Sequence, residues 1–193
     1  MSNERINFYY DPAREGYNTA IWKTLAGTPT STGTALRFNE AKAIGYGDLF
    51  KADVTFGVNV PVKPTAGDIR YWGLEQTIEG SKIIFKIIDD VFSCECVFNG
   101  ITSNTEVVWD DTNWTGANVE FTIKWTGFTV IFLINGVQVA SAGGYTGISG
   151  YSGVSGRSDD SIPHVALSEV INNENFDDMD VSYIETQNVQ GYI

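Results

Sequence analysis

Histidine, cysteine, proline and cationic side chains are all scarce in this chain. One histidine, His164, and two cysteines, Cys94 and Cys96, are spread over 193 residues. A Ser/His/Asp hydrolytic grouping therefore has no support. A thiolate or imidazole metal centre has few ligands to draw on, since only His164 could join the two cysteines. His164 follows Pro163 at the start of a strand candidate and reads as structural. Cys94 and Cys96 stand two apart, so on a strand they point to one face, a poor placement for bridging each other. Buried free thiols are expected. Lys and Arg number 12 against 24 Asp and Glu, for a formal net charge of −12. A surface of that sign repels nucleic acid and anionic membranes. No run of eighteen apolar residues occurs, so no membrane-spanning helix is expected. The start, MSNERINFYYD, has no apolar secretory core. Synthesis in a cytoplasm without the usual export signal is the expectation, with lysis as a route out for a chain carried on a particle.

What the chain has is glycine, threonine, valine, isoleucine and aromatics, which favour strands. Strand candidates are Arg5–Tyr10, Ala35–Phe38, Phe50–Val60, Arg70–Gln76, Lys82–Ile88, Val91–Phe98, Ile101 on to Glu106–Trp109, Val119–Trp125, Thr129–Ile134, Val137–Ala140, Pro163–Val170 and Met179–Thr186. Pro61 and Pro64 end the third of these. Phe92, Cys94, Cys96 and Phe98 form an inward row, with Ser93 and Glu95 outward. Phe121, Ile123 and Trp125 alternate with Thr122 and Lys124. Asn99-Gly100 and Asn135-Gly136 are hairpin turns. No helix of useful length is predicted. The pattern predicts an all-β chain: one antiparallel two-sheet β-sandwich, a jelly roll, over residues 1–193.

Residues 144–158, GYTGISGYSGVSGRS, break this pattern with glycine at every third position. That spacing is the axial requirement of a collagen triple helix. Yet no proline pre-sets the conformation, and the chain must leave and re-enter one domain. Five triplets at about 3 Å per residue would end about 40 Å from their start. The segment reads as an exposed insertion between strands. It is a Gly/Ser loop, a compact glycine-packed or subunit-contacting arm presenting Tyr145, Ile148, Tyr151 and Val154, or a short triple helix.

Two clusters carry polar chemistry. Trp109, Asp110, Asp111, Asn113 and Trp114 combine aromatic faces, which stack on pyranose rings, with groups that bond hydroxyls. They are glycan-binding candidates, or else the tryptophans cap the sandwich edge. Residues 172–180, NNENFDDMD, concentrate hard oxygen ligands of the kind Ca²⁺ prefers, with Glu174, Asp177, Asp178 and Asp180 as candidates. The spacing is not that of a dedicated calcium loop, and a solvated acidic turn is the other reading. No other cofactor is indicated.

The order Trp72-Gly73-Leu74, the strand pair through Ile83–Phe98, Asp111-Thr112-Asn113-Trp114, Phe121–Thr126, the hairpin Val130–Ala140 and Asp180–Ile184 resembles the concanavalin A-like lectin/glucanase jelly roll, including laminin G-like domains. The likeness covers about residues 70–187. The proline-free Gly-x-y run is similar to those of tailed-phage fibre and head-surface proteins. Glycosidases of this resemblance use Glu-x-Asp-x-x-Glu, which sets an acid and a nucleophile about 5 Å apart. That motif is absent; Glu75–Glu79 and Glu106–Asp110 come nearest, without the full spacing. The resemblance implies a non-enzymatic phage virion protein with no catalytic residues, located on the particle. Its partners would be other virion proteins or copies of itself, a trimer among the options, and cell-surface glycans. A bacterial carbohydrate-binding module is the alternative, and after it a degenerate glucanase-like hydrolase.

Overall fold

The computed structural model describes residues 8–45, 49, 52–76, 80–98, 101–126, 129–142 and 167–187. In chain order the first elements are β1 (Phe8–Tyr10), the one-turn α1 (Pro12–Glu15), β2 (Trp22–Ala26), β3 (Thr30–Ser31), β4 (Leu36–Phe38), β5 (Ala41–Gly45) and β6 (Ala52–Asn59). There follow β7 (Ile69–Glu75), β8 (Lys82–Ile88), β9 (Val91–Phe98), β10 (Ile101–Glu106), the one-turn α2 (Asp111–Trp114) and β11 (Asn118–Trp125). The chain closes through β12 (Val130–Ile134), β13 (Val137–Ala142), β14 (Ser168–Asn173) and β15 (Met179–Gln187). One sheet runs β13-β12-β11-β6-β15-β4-β3 with β1 added on β15; the other runs β10-β9-β8-β7-β14-β5-β2. The architecture is the antiparallel two-sheet sandwich that the alternation predicts.

The alternation decides which faces meet. Along β11, Val119, Phe121, Ile123 and Trp125 are buried, and they pair with Val58, Phe56, Val54 and Ala52 of β6. In the facing sheet, Ile83, Phe85 and Ile87 of β8 lie opposite Cys96, Cys94 and Phe92 of β9 and are likewise buried. Neither thiol is in a disulfide, and burial pushes Cys94 up to about 12. Between the sheets lies an aromatic cluster. Trp72 stacks on Phe85 and Phe92 at 6.1 and 6.2 Å and meets Phe121 edge-on at 4.8 Å. Phe85 meets Phe132 edge-on at 5.1 Å. Such pairs contribute about 0.5–1.5 kcal/mol each beyond the area they bury.

At the β12–β13 turn, Asn135 and Gly136 have φ of 48° and 77°. Both central residues of the predicted hairpin thus take the left-handed conformation that Asn-Gly tolerates. Elsewhere the structure differs from the pattern reading. The strand expected over Glu106–Trp109 ends at Glu106, because Asp110 caps α2. The strand expected at Pro163–Val170 is described from Ser168 and runs to Asn173. The alternation does not predict strands β2, β3 and β5. Only Trp22 of β2 is buried, β3 is two residues long, and β5 (AKAIG) is built on alanine and glycine, which carry little β signal.

One inward position of β14 is a carboxyl. Glu169 lies opposite the buried Leu74, and a Cβ on Gly45 would sit 2.7 Å from its Oε2. Burial pushes this carboxyl up to about 7, against about 4.3 for an exposed glutamate. The folded state then holds the proton more tightly than the unfolded one. Stability is fully present below the unfolded pKa and is lost as pH rises toward 7, by on the order of 3 kcal/mol. Urea unfolding at pH 4.5 and pH 8 reads this loss, and Glu169→Gln flattens it. A Glu169→Gln variant with the wild-type pH slope would show that another group carries it.

Candidate functional site

An open cleft of about 810 Å³ lies at the end of the sandwich where the β8–β9 turn, the Lys63–Ala66 segment and the exit of β10 converge. Its walls are Lys63, Pro64, Thr65 and Ala66 on one side and Asp90, Val91, Phe92 and Glu106–Trp109 on the other. The backbone sets these walls. Val107 N–H donates to Phe92 O at 2.9 Å, which carries the β9–β10 register one residue past Glu106. Trp109 then packs edge-on against Phe92 at 5.3 Å and against Trp114 at 5.3 Å, and its Nε1 donates to Thr115 Oγ1 at 3.0 Å. The indole is half-buried and fixed, with part of its surface on the cleft. Val108 is 90% exposed and Val91 42% exposed, so apolar side chains meet solvent in the wall beside the exposed Asp90 and Glu106.

The structure separates the roles of the aromatic-acidic cluster. Asp110 is the N-cap of α2, accepting from Asn113 N at 3.1 Å and Asn113 Nδ2 at 2.7 Å. The Asn113 amide, with backbone N–H groups beside it, holds the Asp110 carboxyl below its ordinary range. Asp111 accepts from Thr115 Oγ1 at 2.6 Å and pairs with Lys63 at 3.5 Å. Trp114 packs on Phe92 at 5.9 Å. Of Trp109, Asp110, Asn113 and Trp114, only Trp109 lines the cleft. Lys63, Asp90 and Val91 escaped the sequence reading because they lie far from Trp109 in the chain. Glu106 was visible there only as part of an incomplete motif.

The outer face of the seven-stranded sheet carries Glu75 and Glu95. Ile84 of β8 lies between Lys82 and Lys86 and opposite Glu95. Glu95 pairs with Lys82 at 3.0 Å and with Lys86. Burial would raise its pKa, but the two lysines outweigh burial and hold the carboxyl below its ordinary range. Glu75 pairs with Lys42 at 3.1 Å, and the Lys42 ammonium lies 5.1 Å from the centre of the Tyr71 ring. Glu75 and Glu95 are thus both committed to lysine partners. Glu79 of the Glu75–Glu79 stretch lies outside the described residues.

Just past the acidic loop after β14, Asp180 of β15 forms a two-point pair with Arg37, its Oδ1 accepting from Nε at 2.8 Å and its Oδ2 from Nη2 at 2.9 Å. Asp178 pairs with Arg37 Nη1 at 3.0 Å. Asp177 lies 3.9 Å from the buried Arg70, and Glu174 accepts from Asn172 Nδ2 at 3.1 Å. Asn173, fully buried, donates to Phe38 O and Asp177 O, both at 2.7 Å. Guanidinium groups and amides, rather than one another, face the four candidate carboxylates. Among the described residues no group of three or more His, Cys, Asp or Glu side chains is placed to hold a metal ion. Tyr145, Ile148, Tyr151 and Val154 of the glycine repeat lie outside the described residues, as does His164.

No protein-family model matches the sequence, and no curated protein matches it. Solved structures share its fold. The apo Crh5 transglycosylase superposes with a TM-score of 0.71 at 12% identity, over 94% of this chain and 84% of its own. The catalytic domain of an endo-1,3-β-glucanase (laminarinase) from Thermotoga petrophila gives 0.69 at 9% identity, over 98% of this chain and 100% of its own. A Bacillus licheniformis β-glucanase gives 0.68 at 10% identity, over 94% and 97%. At these identities the likeness establishes the fold.

These neighbours correct the resemblance drawn from the sequence. They are glucanases and a transglycosylase, not lectin-like or phage particle proteins. The virion assignment falls, and with it the virion and self-association partners, the location on a particle and the expectation of a chain without enzymatic activity. That reading leaned on the Gly-x-y repeat and on two absences, the export signal and the carboxylate motif. A repeat between two strands carries no information about the faces that the sheets present.

The Arg37 contacts make a prediction. Arg37→Ala leaves Asp178 and Asp180 without their shared cation, so the melting temperature falls, and millimolar Ca²⁺ recovers part of the loss. The wild-type melting temperature does not respond to Ca²⁺, because Arg37 already neutralises these carboxylates. Thermal melts of both proteins with Ca²⁺ and with chelator check this. Calcium-dependent stabilisation of the wild type would contradict it.

Proposed function

We propose that this chain is a β-glucan-binding protein on the glucanase and transglycosylase fold, and that it takes the polymer at the Trp109 cleft. The observation that carries this reading is the convergence of a fixed, partly exposed indole with Lys63, Asp90 and Glu106 in one open cleft. A pyranose ring presents C–H groups on its faces and hydroxyls on its rim. It is recognised by an aromatic surface beside a few charged or polar groups, which is what these walls offer. The apolar rim at Val91 and Val108 extends the contact beyond one sugar.

Hydrolysis or glycosyl transfer at the same place is the second reading. The shared fold favours it, as does the presence of two carboxyl groups, Asp90 and Glu106, in the cleft. Glycosidic bond cleavage needs two such groups, one to protonate the leaving oxygen and one to attack or to activate water. The lysine-bound Glu95 is poorly suited to donate a proton, since its two lysines hold it ionised.

Affinity electrophoresis through laminarin and mixed-linkage β-1,3-1,4-glucan tests the first reading. The wild type is retarded, and Trp109→Ala loses about tenfold in affinity, which corresponds to about 1.4 kcal/mol. A wild type that passes both gels unretarded would falsify the binding reading. A reducing-end assay on the same glucans tests the second. If the chain hydrolyses them, Glu106→Gln or Asp90→Asn removes the activity while retardation persists. Activity untouched by either substitution would place the chemistry elsewhere.

A further inference from the structure

We propose a second carbohydrate-contact surface, on the outer face of the eight-stranded sheet, where Tyr9 and Tyr183 form an aromatic platform for a neutral pyranose glycan. It shares no residue with the Trp109 cleft and does not depend on it. Strand β1 pairs with β15 so that Tyr9 lies opposite Glu185, which makes Tyr183 its diagonal neighbour on the same face. The alternate residues Tyr10 and Ile184 point into the core. The two rings are near-parallel, at 21°, with centroids 6.1 Å apart. Tyr9 is 56% exposed, so its ring face is open to solvent.

The platform is built rather than incidental. Tyr183 packs across Gly57 of β6, where a Cβ would sit 2.4–2.5 Å from ring atoms. Only glycine allows the ring to lie there. The Tyr183 hydroxyl donates to Glu120 Oε2 at 3.1 Å, which fixes the ring from its far end. Burial, then the charges of Glu120 and Glu185, keep that phenol protonated. Gln187 Nε2 donates to Glu185 Oε1 at 2.6 Å. The surface therefore combines ring faces, which take sugar C–H groups, with carboxylate oxygens, which accept from sugar hydroxyls. The same carboxylates repel uronate or sulfate groups, which selects a neutral glycan.

Affinity electrophoresis of the full chain through laminarin, mixed-linkage β-glucan and alginate tests the platform. Tyr9→Ala is expected to weaken retardation by the neutral glucans several-fold with an unchanged melting temperature. The loss adds to that of Trp109→Ala, since the two places are independent. Tyr183→Phe, which keeps the ring and removes its anchor to Glu120, weakens retardation less, and alginate retards none of the proteins. Retardation of Tyr9→Ala equal to the wild type, in both the native and the Trp109→Ala backgrounds, overturns the platform. So does complete loss of retardation in Trp109→Ala alone, which assigns all binding to the cleft. A loss in Tyr9→Ala with none in Trp109→Ala overturns the cleft instead and leaves the platform standing.

Discussion

The stacking of Trp72 on Phe85 and Phe92, with Phe121 driven edge-on into the stack, is the contact on which the sandwich depends. Trp72, Phe85 and Phe92 come from three adjacent strands of one sheet, and Phe121 comes from the centre of the other. Rings this large fill the space between sheets only in a narrow set of offsets. Their interlock therefore sets the depth and relative position of the two sheets at once. The flanking aliphatic pairs, such as Ile123 with Val54 and Ile83 with Cys96, are set by ordinary alternation and follow from that register.

The same cluster reaches the surface at one end. Phe92 is both a core ring and a wall of the cleft, and it is the surface on which Trp109 and Trp114 rest. Trp109 is thus an extension of the core, held from behind by Phe92 and from the side by Thr115. A binding indole mounted this way loses little freedom when a ligand arrives, which favours affinity. The charged groups divide by location. On the sheet face, lysines hold Glu75 and Glu95; at the acidic loop and the start of β15, arginine holds Asp178 and Asp180. Asp90 and Glu106 stand in the cleft walls.

Much of the fold was legible because its signals are local and periodic. The row Phe92, Cys94, Cys96, Phe98 and the hairpin at Asn135-Gly136 depend on period two and on left-handed backbone at a turn, and both lie in the structure as the sequence predicts. What stayed hidden lacked such a signal. Strand β5 faces the core through Ala41 and Ala43, too small to mark a hydrophobic face. Glu169 is polar by composition, and only its position opposite Leu74 reveals that it is buried. For the candidate site, Trp109 was visible as an aromatic in a polar stretch. Its companions Lys63 and Asp90 are brought to it by the β6–β7 segment and the β8–β9 turn, a juxtaposition that exists only once the sheet has formed. The glycine repeat misled in the opposite way, because its regularity is conspicuous in sequence and says nothing about the alternation that builds the sheets.

The two thiols close a different question. Cys94 and Cys96 lie on one face of β9, buried against Phe85 and Ile83, with Cys94 held protonated far above neutral pH. A protonated, solvent-excluded thiol is a poor nucleophile and a poor target for oxidants. Two residues apart along a strand, the pair is also badly placed to close a ring on itself. The covalent structure of the described sandwich is therefore indifferent to the redox state of its surroundings. It needs neither an oxidising compartment to mature nor a reducing one to remain intact.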